Sequence, residues 1–153
     1  MTARLNYAQI APDAFKTMLA FEQYIHTTTL EPALLELVKT RSSQINGCAY
    51  CLDMHTKDAR AKGETEQRLY LLNAWRETDF YTERERVALA LTEKMTEVAQ
   101  THGISDEEYA EILTHFSEKE FVDLMYAINT INSWNRLAIF TKAEPGHYRP
   151  TGK

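Results

Sequence analysis

The chain has 153 residues, 44% hydrophobic and 25% charged, with a net charge of −5, the make-up of one soluble domain large enough to bury its own core. With an acidic balance and no run of Lys or Arg, the electrostatic footprint of a nucleic-acid binder is missing. No apolar run approaches the ~20 residues that a membrane crossing needs, and the opening MTARLNYAQIAPDAF lacks the basic-then-apolar pattern of a secretory signal, so the expected location is the cytoplasm.

Taken in chain order, the periodicity is helical nearly throughout. Pro12 opens a first helix carrying Phe15, Met18, Leu19, Tyr24 and Ile25. Pro32 opens a second with Leu34, Leu35, Val38 and Ile45, since proline is well tolerated in a first helical turn. Asn46-Gly47 is a turn signal that ends it. A third helix runs from about Ala49 to Lys62 and stops at Gly63, and a fourth covers Glu66 to Trp75. Three later starts carry the reciprocal capping pattern: Thr82-x-x-Glu85, Ser105-x-x-Glu108 and Ser117-x-x-Glu120. The charge-dense run from Thr82 to Arg86 reads as a solvated first turn. Alternating strand patterns are absent. The expected fold is an all-α, single-domain bundle of about six or seven helices spanning residues 1–153.

The chemistry concentrates in Cys48-Ala49-Tyr50-Cys51-Leu52-Asp53-Met54-His55, which holds both cysteines of the chain. On a helix, Cys48, Cys51 and His55 fall within an arc of roughly 60° and face one side. An i, i+3 pair brings its Cα atoms within the ~7 Å that a disulfide tolerates. In a cytosolic chain, such a pair points to catalysis or metal binding before a permanent crosslink. A helix start favours a thiolate, and His55 lies one turn past Cys51, where it can exchange a proton. Cys51 can then react with an oxidant to give a sulfenic acid, which Cys48 captures as a disulfide that an external dithiol resets. Glu36 precedes the Asn46-Gly47 turn by ten residues and His55 follows it by eight. In an antiparallel hairpin the two lie at similar heights, where a carboxylate orients the imidazole.

Other readings of the same residues stay open. A C-x-x-C with a histidine also binds zinc, but a closed site wants four ligands, and no second cysteine pair or HxxxH is present. Two inert core cysteines, or a redox sensor without turnover, are further alternatives. Attachment of c-type haem is excluded because Leu52, not histidine, follows the second cysteine. The remaining histidines, His26, His102, His115 and His147, show no partner pattern.

The stretch RSSQINGCAYCLDMHTKDARAKGETEQRLYLL resembles the core of the alkylhydroperoxidase AhpD-like family, within the carboxymuconolactone decarboxylase superfamily. The family signature is a glutamate twelve residues before a CxxC and a histidine four after its second cysteine, matched here by Glu36, Cys48, Cys51 and His55. The resemblance continues through Tyr81 to Glu93 and Ile131 to Ile139. It implies an all-helical subunit assembling into trimers or hexamers, and a peroxidase with no bound cofactor. Cys51 would be the peroxidatic thiol, Cys48 the resolving thiol, and His55 with Glu36 the proton relay. It further implies a hydroperoxide substrate and an external dithiol reductant, such as a dihydrolipoyl group on a lipoylated protein or a thioredoxin-like protein. Tyr50 departs from members that carry histidine between the cysteines. Decarboxylation of a carboxylated lactone, the superfamily's other chemistry, generally does without the cysteine pair. Asn132, Trp134 and Asn135, in the C-terminal matching stretch, read as buried groups bonding between helices.

Overall fold

A computed structural model describes residues 2–150. Among these, the chain forms α1 (Tyr7–Ile10), α2 (Pro12–His26), α3 (Pro32–Asn46), α4 (Ala49–Ala61), α5 (Glu66–Leu71), a 3-10 segment (Leu72–Glu77), α6 (Glu83–Thr96), α7 (Val98–Thr101), α8 (Asp106–His115) and α9 (Glu118–Thr141). Seven of the α-helices have six residues or more, as the periodicity predicts, and no strand occurs among the described residues. The two single turns, α1 and α7, are too short to carry a periodic signal.

Helix α3 is the axis of the bundle. Every residue from Leu34 to Thr40 is buried, as are Ser42 and Ser43, because α3 is flanked at once by α4, α6 and α9. A helix enclosed on all sides must satisfy its polar side chains internally. The main apolar core joins Leu34, Leu35 and Val38 of α3 to Val87, Ala88 and Leu91 of α6 and to Leu124, Ala127 and Ile128 of α9. At ~25 cal/mol per Å² of apolar surface, each fully buried Leu or Ile contributes roughly 1.5–3 kcal/mol.

Local chemistry sets the boundaries. Pro12 and Pro32 stand at the first positions of α2 and α3. All three reciprocal capping boxes form, at Thr82/Glu85, Ser105/Glu108 and Ser117/Glu120. The turn between α3 and α4 closes with Gly47 at φ 70°, Cys48 N–H on Ser43 O at 3.0 Å and Gly47 N–H on Gln44 O at 3.3 Å. That is the paired-bond helix end in which a glycine takes the left-handed conformation.

Two expectations are corrected. The helix expected from Glu66 to Trp75 breaks after Leu71 into the 3-10 segment, with Ala74 at φ −119°. The break lets Trp75 bury its ring and donate from Nε1 to Glu93 Oε1 at 2.9 Å, while Arg86 takes the carbonyls of Trp75 and Thr78. The run from Thr82 to Arg86 is also more than a solvated turn. Arg84 donates to Glu31, Glu120 and the His115 carbonyl and lies over the Phe116 ring, and Glu85 pairs with Arg68 at 2.6 Å. These residues tie α6 to its neighbours because their side chains lean back over the helix junctions.

Candidate active site

The site begins at the α3–α4 turn. Cys48 ends the turn and is the N-cap of α4, its Sγ accepting from Cys51 N–H at 3.3 Å. Cys48 and Cys51 form a disulfide with Cα atoms 5.4 Å apart, each residue only 1% exposed. The pair packs against Ile131 and Ala138 of α9, with Tyr50, Trp134 and Ala143 at its margin. One and two turns further along the same face of α4, His55 and Ala59 are also buried, as a four-residue helical spacing requires.

The α3–α4 hairpin carries Glu36 back to the height of His55. Glu36, 3% exposed, places Oε2 3.0 Å from His55 Nδ1 and accepts from Lys62 Nζ on Oε1 at 2.5 Å. Burial alone would raise the Glu36 carboxyl. The hydrogen bond and charge of His55, the charge of Lys39 and the hydrogen bond from Lys62 outweigh it and hold the group at about 2. An anionic Glu36 accepts from Nδ1–H, and in the neutral ring that bond favours the tautomer whose lone pair is on Nε2. Nε2 is buried and has no hydrogen-bond partner among the described residues. A buried imidazole nitrogen kept free of protein partners is available to a reactant.

Around this pair lies a layer absent from the sequence reading. Lys39, 2% exposed, is ion-paired to Glu22 of α2. Glu22 also accepts from Trp134 Nε1 at 3.1 Å and lies 3.4 Å from His26 Nε2. Burial acts to raise the Glu22 carboxyl, and the Lys39 charge and hydrogen bond, with the charges of His55 and His26, bring it below its ordinary value. Asp58, one turn past His55, accepts from the Tyr148 hydroxyl at 2.7 Å. Burial and the bond to Asp58 both push the Tyr148 phenol up. In the sequence this layer shows only as a lysine three residues after Glu36 in a run rich in leucine and valine, a signal that becomes readable once the helix is known to be enclosed.

Glu36, Lys39 and Lys62 also line a cleft of about 360 Å³ between α2, α3 and the end of α4, together with His26, Thr28 and Leu30. The cleft reaches the Glu36 side of the Glu36–His55 pair, and the cysteines are not among its walls. Among the described residues, Glu36, His55 and Asp58 are close enough to share a cation, their ligand atoms within 4.8 Å of one another. Lys62 already occupies one Glu36 oxygen and Tyr148 occupies Asp58. Neither sulfur belongs to the group, which is what a cysteine-based zinc site would need.

Asn132 and Asn135 bond between helices. Asn46 Nδ2 donates to Asn132 Oδ1 at 2.9 Å and to Asn135 Oδ1 at 2.8 Å, Asn135 donates to Ser43 Oγ at 3.0 Å, and Asn132 to Thr96 Oγ1 at 3.1 Å. This amide cluster holds Ser43 and Asn46 at the end of α3 beside the cysteine turn, while Thr40 Oγ1, buried on the same helix, has no hydrogen-bond partner among the described residues. Among the histidines without a partner pattern, His26 touches the site through Glu22. No helix of the described residues is long and apolar enough to cross a bilayer.

The sequence profile of the carboxymuconolactone decarboxylase family matches residues 12–94. Over 139 residues the chain is 47% identical to an uncharacterized protein, YdfG, of Bacillus subtilis (strain 168), covering 91% of this chain and 94% of that protein. Among solved structures, a protein of unknown function from Agrobacterium tumefaciens, provisionally ascribed to AhpD antioxidant defence, aligns with a TM-score of 0.91 and 39% identity, covering 96% of this chain and 100% of that one. An uncharacterized peroxidase-related protein from Ralstonia eutropha JMP134, described as an alkylhydroperoxidase AhpD core, aligns with a TM-score of 0.81 at 17% identity, covering 92% of this chain and 74% of that one, a likeness of fold alone. The family profile spans more than half of the chain, and the chain therefore belongs to the carboxymuconolactone decarboxylase family, with an AhpD-like fold.

Proposed function

We propose that this protein is a thiol-dependent hydroperoxide reductase acting in antioxidant defence. In the reduced chain, Cys51 passes its proton to His55 Nε2, and the thiolate attacks the terminal peroxide oxygen. The O–O bond breaks, the alcohol leaves with a proton returned from the relay, and Cys51 becomes a sulfenic acid. Cys48 attacks that sulfur, water leaves, and the disulfide forms. A dithiol then reduces the disulfide by two exchange steps. The whole cycle converts a hydroperoxide and a dithiol into an alcohol, water and an external disulfide.

The observation that carries this reading is the placement of two sulfurs at bonding reach on one helical turn, with the buried His55–Glu36 pair one turn on. The helix start adds to it. Cys48 Sγ already accepts the Cys51 N–H, so a Cys48 thiolate expelled during reduction has a donor waiting. Cys51→Ser should abolish turnover with hydrogen peroxide or cumene hydroperoxide. Cys48→Ser should allow at most one round before Cys51 over-oxidises, which intact mass reads as added oxygen. Full activity in Cys51→Ser would contradict the assignment.

The proposal extends to an external dithiol, dihydrolipoyl or thioredoxin-like, as reductant, a cytoplasmic location, and a homo-oligomer, trimer or hexamer, as the working form. Ile10, Tyr126 and Phe140 are large apolar side chains left exposed on the subunit, surface suited to such contacts. A redox sensor is the second reading, favoured by the burial of both sulfurs. It predicts a disulfide on oxidant treatment but negligible steady-state turnover with any dithiol.

A further inference from the structure

His55 sits in a crowd of charges that its role as a proton acceptor must survive. From α3 it faces Glu36 at 3.0 Å, and Lys39, buried one turn further on the same helix, bears with its charge on that carboxylate. From α2 come Glu22 and, behind it, His26. Its own helix supplies Asp58 and, at its end, Lys62, and the C-terminal segment supplies Tyr148 on Asp58, with Tyr50 beyond. Three carboxylates, Glu22, Glu36 and Asp58, thus face two ammonium groups, Lys39 and Lys62. An imidazole flanked by unbalanced carboxylates holds its proton tightly and stops acting as a base at neutral pH. Lys62 is partly exposed, whereas the Lys39 side chain is 3% exposed and fixed by Glu22. Glu22 is fixed in turn by Trp134, whose ring packs against the apolar cluster that holds the two cysteines.

We propose that Lys39, locked to Glu22, is a positioning residue for the proton relay: its buried ammonium offsets the carboxylates around His55 so that Nε2 stays free to take the proton of Cys51. The charge of Lys39 is held where solvent screens it least, and so acts on His55 without touching it. Burying an ion pair here costs desolvation free energy that an apolar pair of equal volume would avoid. A purely structural link between α2 and α3 needs no such pair. The catalytic part of this inference rests on the hydroperoxide reductase reading, while the electrostatic part can be read without turnover.

The test is the titration of His55 in the reduced, full-length chain, followed by nitrogen-15 NMR of the imidazole rings and assigned by the signal lost in His55→Gln. Lys39→Met should move the His55 titration upward by about one pH unit, and Lys39→Arg should leave it at the wild-type position. Glu22→Gln removes an anion and should move it downward. The pH profile of disulfide formation by hydrogen peroxide should follow, with the rate of Lys39→Met at neutral pH about tenfold lower. Titrations that coincide with wild type, or that move the same way in Lys39→Met and Glu22→Gln, overturn the proposal. Should Lys39→Met fail to fold, the Glu22→Gln shift decides alone, and no downward movement overturns it. Absence of peroxide turnover in the wild type would remove the reductase reading and leave the titration result standing.

Discussion

Glu36 is the residue on which the electrostatics of the site turn. Its carboxyl is held at about 2, well under the ordinary value of 4.5. A group whose folded pKa is depressed adds stability above its unfolded pKa and loses it as pH falls through the folded value. For Glu36 that window runs from about pH 4.5 down to about pH 2. A fall of this size corresponds to on the order of 3 kcal/mol, shared with Lys39, Lys62 and His55. Glu36→Gln should therefore flatten the acid limb of a urea-denaturation series across that window. It should also lower the rate of Cys51 oxidation by about a hundredfold, because the neutral amide no longer fixes the His55 proton on Nδ1. An unchanged acid limb would show that Glu36 does not carry its charge in the folded chain. Much of this residue-level arrangement is legible in the sequence. The spacing of Glu36 and His55 about Asn46-Gly47 places them at matching heights, and the structure brings them to 3.0 Å. Glu22 and Tyr148 are not legible there, because they meet the pair from other elements; Lys39 and Asp58 share its two helices, but their roles depend on those distant partners, to which no local spacing points.

At the scale of elements, the hairpin of α3 and α4 is what aims the chemistry. A methyl group on Gly47 would meet open space, so a substitution there is opposed by the backbone conformation, φ 70°, and not by a clash. Gly47→Ala should cost about 1–2 kcal/mol, roughly a 2–4 °C fall in melting temperature per kcal/mol for a chain of this size. It should also slow disulfide formation, since Cys48 takes its place from this turn. Equal thermal melts for variant and wild type would show that the turn tolerates alanine. Arg84 is a second junction at this scale: it joins α6 to Glu31, Glu120 and the His115 carbonyl. Arg84→Ala should lower stability by about 1–3 kcal/mol with the thiol chemistry intact, because it lies away from the cysteines. Helix starts are readable from their capping residues, and all three boxes form. The break after Leu71 is not, since it answers to Trp75 reaching Glu93 and Arg86 reaching two carbonyls, tertiary contacts between the 3-10 segment and α6 that local periodicity does not report.

For the whole molecule, an enclosed central helix explains why charged groups survive in the core. α3 presents Leu34, Leu35 and Val38 to the apolar faces of α6 and α9, Glu36 to α4 and Lys39 to α2, and polar groups near its end to α6 and α9, so one helix serves both as core and as wall of the site. The all-α bundle follows from periodicity alone, whereas the way its helices cross required coordinates. Assembly belongs to this scale too. If Phe140, 73% exposed, lies in a subunit contact, Phe140→Asp should shift the oligomer toward monomer in light scattering while leaving the helical content of the far-UV spectrum unchanged; an unaltered mass would place the contact elsewhere. The central claim, that Cys48 and Cys51 cycle as a redox pair, is tested most directly by intact mass spectrometry of the reduced chain before and after one equivalent of hydrogen peroxide. The account predicts a loss of about 2 Da, reversed by dihydrolipoamide. A chain that gains oxygen instead, or keeps both free thiols, would contradict it.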